Sequence, residues 1–100
     1  MAENRRQTRF AVTIAAELTL GEQTLACTIT NLSLGGAFLA QQKLTLSARC
    51  RLKFSVPIQP EPIIADATVR WNDDQGVGLQ FDGLRAREVW ALNKLFESLK

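Results

Sequence analysis

The 100-residue sequence predicts a mainly β domain, a six-stranded antiparallel Greek-key barrel with one C-terminal α-helix. Three observations carry that prediction. Apolar and polar residues alternate in six short stretches, the period of a half-buried strand. Short turns join the stretches with no helical pattern between them, so neighbours pair antiparallel. Near the end the period lengthens to that of a helix. The length suits one domain with a single core.

The elements follow in order. Residues 1–9 are polar and aperiodic and are expected to form a flexible arm carrying Arg5, Arg6 and Arg9. From Phe10, the residues Phe10, Val12, Ile14, Ala16, Leu18 and Leu20 face one way, and Thr13, Glu17 and Thr19 the other. Gly21-Glu22-Gln23 is a hairpin turn. Leu25, Cys27 and Ile29 alternate with threonines in a second strand. A turn, Asn31-Leu32-Ser33-Leu34-Gly35-Gly36, leads to a short third strand over Ala37 to Ala40.

After a mixed connection, Cys50, Leu52, Phe54 and Val56 alternate with Arg49, Arg51, Lys53 and Ser55. The charged side reads as the solvated face of a one-sided sheet, with a basic binding stripe as the alternative. Pro57, Pro60 and Pro62 end the strand in a loop. Ile63, Ala65, Ala67, Val69 and Trp71 form the apolar side of the fifth strand, and Val77, Leu79 and Phe81 that of the sixth. Between them, Asp73 and Asp74 read as turn formers beside Gly76. Residues 10–82 thus make the barrel. The helix is expected over 84–100, with Leu84, Val89, Leu92, Leu95, Phe96 and Leu99 on its apolar side and Asp82 or Gly83 starting it.

Composition narrows the function. A net charge of +2 is too small to imply bulk binding to nucleic acid or membrane. The chain has no histidine, which removes the usual general base near neutral pH and the commonest metal ligand. There is no HExxH, CxxC or phosphate-cradling Walker loop, so the residues argue against an enzyme and against a metal or cofactor. Cys27 and Cys50 fall on apolar sides of strands and read as small buried hydrophobes in a reducing compartment. With no long apolar run and no signal-peptide pattern, the expectation is a soluble cytoplasmic domain.

Two stretches carry chemistry. A guanidinium is a rigid fork of donors that matches a phosphate, pairs with the O6 and N7 edge of guanine, and stacks on a base. Arg5, Arg6 and Arg9 place three such groups within five residues. In the turn, Asn31 offers an amide, Ser33 a hydroxyl, and Gly35 and Gly36 permissive backbone that a flat ligand can approach. Each has a plain alternative, a solvated tail for the first and ordinary turn chemistry for the second.

Taken together they are more specific. Arg5-x-x-x-Arg9, two strands, then Asn31-x-Ser33-x-x-Gly36 resembles the paired signature of the PilZ domain family, RxxxR followed by [D/N]xSxxG. The stretch Val69 to Phe81, with Trp71 and Gly76-Val77-Gly78-Leu79-Gln80-Phe81, is similar to the family's closing strands. The resemblance implies a bacterial receptor for the second messenger cyclic di-GMP. It further implies that Arg5 and Arg9 contact guanine edges and phosphates, with Arg6 helping, and that Asn31 and Ser33 bond a guanine beside Gly35 and Gly36. The arm would order over the ligand and signal to a partner protein or domain. The alternative within the family is an adaptor that does not bind the nucleotide. A single-strand nucleic-acid barrel is disfavoured, because most of the aromatic residues fall at core-facing positions and a stacking platform needs exposed ones.

Overall fold

The computed structural model describes residues 9–99. Six strands form a closed antiparallel barrel: β1 (Phe10–Leu20), β2 (Gln23–Leu32), β3 (Gly36–Ala40), β4 (Arg49–Phe54), β5 (Ile63–Asp73) and β6 (Gly76–Phe81), followed by helix α1 (Ala86–Leu99). Around the barrel the order is β1-β2-β3-β6-β5-β4, with β4 pairing back onto β1. Placing β6 between β3 and β5 brings the end of β6 beside the turn that follows β2.

The barrel interior is filled by the inward residues that the alternation marks. Leu18, Ile29, Leu39, Leu52, Ile63, Val69 and Val77 are fully buried. Each such side chain contributes roughly 1.5–3 kcal/mol of burial free energy. Cys27 and Cys50 are buried free thiols that donate to the carbonyls of Ala16 and Ala67. On the outer face, Arg49 pairs with Asp82 at 3.3 Å and Arg51 with Asp66 at 2.9 Å. Those pairs favour the solvated-face reading of that strand over a binding stripe.

Helix α1 presses Ala91, Leu92, Leu95 and Phe96 into the core. Phe96 stacks on Phe10, with centroids 4.4 Å apart. The helix starts later than expected. Glu88 reaches back to accept from the Arg85 amide at 2.8 Å, the reciprocal arm of a capping box, so Arg85 caps the helix rather than Asp82 or Gly83. Asp82 is used elsewhere, accepting from the Thr68 hydroxyl at 2.8 Å. Leu99, expected on the apolar side of the helix, is exposed. Trp90 is exposed as well, with the Lys94 ammonium 5.9 Å from its ring centroid. The fourth strand stops at Phe54, although Val56 remains buried.

Candidate functional site

Strict alternation would continue the inward run Leu25, Cys27, Ile29 to residue 31, and the inward run Ala65, Ala67, Val69 to residue 71. Both positions are turned outward, and the same device turns them. In β2, Ile29 pairs with Leu39 and Asn31 with Phe38, so Thr30 is an extra residue opposite β3. In β5, Val69 pairs with Leu79 and Trp71 with Gly78, so Arg70 is extra opposite β6. Such a β-bulge shifts every following side chain to the other face. Asn31 therefore belongs to β2 rather than to the turn, and Trp71 to the outer wall rather than to the core.

The two re-aimed residues converge because β3 and β6 are the only strands between them. Phe38 and Trp71 face each other across Gly78, their rings stacked at 5.1 Å. A Cβ on Gly78 would meet the indole at 2.3 Å, so Trp71 lies flat on that glycine's backbone. Trp71 remains 39% exposed, enough to offer a ring face or edge to a ligand.

The turn beside this aromatic pair is held tightly. The Ser33 hydroxyl accepts from the Gly35 amide at 3.1 Å and the Gly36 amide at 3.2 Å, and the Ser33 amide donates to the Gly36 carbonyl at 2.9 Å. Ser33 is 7% exposed, the one buried polar side chain among the described residues. The Gly35 carbonyl in turn accepts from the Phe81 amide at 2.8 Å, tying the turn to β6. Gly36 lies against β6 so closely that a Cβ would fall 2.0 Å from the Leu79 carbonyl oxygen.

These groups border one cleft of about 390 Å³. Of the residues picked from the sequence, it brings together Arg9, Asn31, Ser33, Gly35 and Gly36; Arg5 and Arg6 lie outside the described residues. Phe38, Arg70, Trp71 and Gln80 are among the others that line it. Among the described residues, Arg9 and Arg70 are the only charged side chains lining it, and neither pairs with a described carboxylate. The cleft is thus cationic, floored by glycine backbone and flanked by an aromatic pair. Strand alternation hid Trp71 and Phe38. The glycines at 76 and 78, two apart on one strand, were the available sign that something lies flat on β6.

The fold is thus a small closed β-barrel whose outer wall carries a cationic, aromatic cleft. The sequence profile of the PilZ domain matches residues 3–98, and the chain belongs to the PilZ domain family. No curated protein matches it by sequence. Among solved structures it resembles the motility inhibitor MotI/DgrA of Bacillus subtilis, with TM-score 0.77 and 17% identity over 94% of this chain and 50% of that one. It also resembles the PilZ domain of Escherichia coli YcgR solved with cyclic di-GMP, with TM-score 0.72 and 18% identity over 95% and 90% of the two chains. A third neighbour is the PilZ domain of CeSA from a cellulose-synthesizing bacterium, with TM-score 0.70 and 16% identity over 90% and 96%. The chain spans half the length of the Bacillus protein.

Proposed function

We propose that this domain is a receptor for cyclic di-GMP, binding it in the cleft between the end of β2 and the outer face of β6. The observation that supports this most is the convergence of Arg9, Asn31 and Trp71, from three separate segments, on one cleft with no carboxylate in its described lining. The ligand carries two phosphates and two guanines, and the lining answers both. Guanidinium forks suit phosphate oxygens and the O6 and N7 edge of guanine. The Trp71 ring offers stacking. The Asn31 amide presents a donor and an acceptor to a base edge.

Ser33 acts in this reading through the turn. Its hydroxyl oxygen already accepts two amides, so its main part is to fix the backbone that Asn31 precedes. Gly36 lets β3 and β6 approach and leaves the cleft floor flat. Arg5 and Arg6, with Arg9, would close over the ligand from the N-terminal side. Ordering backbone costs about 1–2 kcal/mol per residue, so the arm closes only when charge-assisted contacts to phosphate and guanine outweigh that cost. The closed arm and ligand then form a surface that a partner protein or neighbouring domain recognises.

Isothermal titration with cyclic di-GMP, alongside GTP and an Arg9→Ala variant, tests the reading. Saturable binding of the dinucleotide that GTP does not reproduce, and that the variant weakens at least tenfold, is expected. No heat and no rise in melting temperature at millimolar ligand would overturn it.

A further inference from the structure

On the flank away from the cleft, one strand is longer than its partner. β1 pairs with β2 from Phe10 to Leu20, with a register irregularity between Ala11 and Ile14, but with β4 only from Ala16 to Thr19. β4 ends at Phe54, and the chain departs through Pro57, which has no amide hydrogen to offer a ladder. Among the described residues, therefore, no strand pairs with Ala11–Ala15 on the β4 side. All six consecutive residues from Val12 to Glu17 border the same groove of about 840 Å³. A strand whose inward and outward side chains line one void presents its edge to that void. The rest of its wall is largely apolar, with Phe54, Pro57, Leu95 and Leu99 beside the polar Lys53 and Ser55.

We propose that this edge is a docking site for an extended peptide segment of a partner protein, which adds a strand to β1 alongside Ala11–Ala15. Main-chain chemistry selects the occupant. An unpaired strand edge offers alternating N–H and C=O groups that only another extended chain satisfies along its length. The incoming strand would enter past the rung where Ala16 meets Phe54, between β1 and the Ser55–Pro57 segment, which borders the groove without pairing to β1. Alternate side chains of the peptide would fall on Leu95 and Leu99, so the fitting sequence alternates apolar with polar residues. The chain's own residues 1–8 do not have that pattern, because only Met1 and Ala2 among them are apolar. A second copy would have to bring a whole barrel flank into a groove that α1 and the proline loop already wall.

The test uses the full 100-residue chain. Amide exchange followed by NMR reads the edge in the free protein, and a ten-residue peptide display library supplies the probe. Expected are fast exchange for part of Ala11–Ala15, enrichment of peptides with alternating apolar residues, and shift changes on binding at Val12–Ala15, Leu95 and Leu99. Leu99→Glu, at an exposed position, should weaken the selected peptide at least tenfold while leaving the melting temperature and cyclic di-GMP titration unchanged. Thr13→Lys, at an exposed position on the same edge, should likewise weaken the peptide and leave the melting temperature unchanged. Protection of all those amides in the free protein would overturn the proposal. So would a library yielding no binder, peptides mapping elsewhere, or a concentration-dependent dimer through β1.

Discussion

Replacing Gly36 by alanine isolates the contact that holds the proposed site's floor. The new Cβ would lie 2.0 Å from the Leu79 carbonyl oxygen, 3.1 Å from its carbon and 3.3 Å from the Gln80 Cα. All three atoms are backbone, so no rotamer change relieves the overlap. β3 and β6 must separate by more than an ångström at the Gly36–Gln80 rung, the end of a ladder only five rungs long. Overpacking that side chains absorb costs about 1–3 kcal/mol; a backbone clash belongs at the top of that range, about 3 kcal/mol. For a domain of this size each kcal/mol lowers the melting point by about 4–8 °C, so a fall of about 12–24 °C is expected. Circular-dichroism melts with parallel urea titrations read it directly. Gly21→Ala serves as the comparison. There the Cβ meets nothing, but φ is +58°, and left-handed backbone alone costs about 1 kcal/mol. A Gly36→Ala variant within about 0.5 kcal/mol of the parent, or less destabilised than Gly21→Ala, would refute the close-approach argument.

Other perturbations separate binding from folding. Trp71→Ala should weaken cyclic di-GMP by about 1–3 kcal/mol, roughly 5- to 150-fold by titration, if the exposed indole stacks on a base. Asn31→Asp should tighten binding by about 1 kcal/mol, because a carboxylate accepts two guanine N–H donors where an amide oxygen is one acceptor. Glu88→Ala removes the acceptor at the Arg85 amide and should cost about 1 kcal/mol in a melt, with the titration unchanged. Burial, helped by Asp82 and Asp66, pushes the Cys50 thiol up from 9.0 to about 11. The unfolded chain then releases this proton from about pH 9 while the native state keeps it. Stability should be level below pH 9 on this account and fall between pH 9 and 11, by an amount on the order of 2–3 kcal/mol. Urea titrations of Cys50→Ala against the parent should show that part of the decline removed.

Period and composition were enough for the architecture. Six alternating runs and one helical run set the number and type of elements, because a barrel wall needs one apolar face and a capping helix one apolar stripe. The absence of helices between strands implied antiparallel pairing, and the buried thiols followed from their places in the alternation. The spacing of Asn31, Ser33 and Gly36 was likewise legible, since that motif lies within six residues of chain.

What the sequence could not show was which face two of the site's residues occupy. Alternation assigns Trp71 to the core and leaves Asn31 in a turn, and only strand pairing reveals the extra residues Thr30 and Arg70 that rotate them outward. A bulge is defined by the partner strand's count, which no local pattern contains. The same holds for the cleft itself. Arg70, Trp71 and Gln80 lie far along the chain from Asn31 and meet it only because β6 inserts between β3 and β5. The stretch of β1 that no described strand pairs on the β4 side is also tertiary in origin, a matter of where β4 stops.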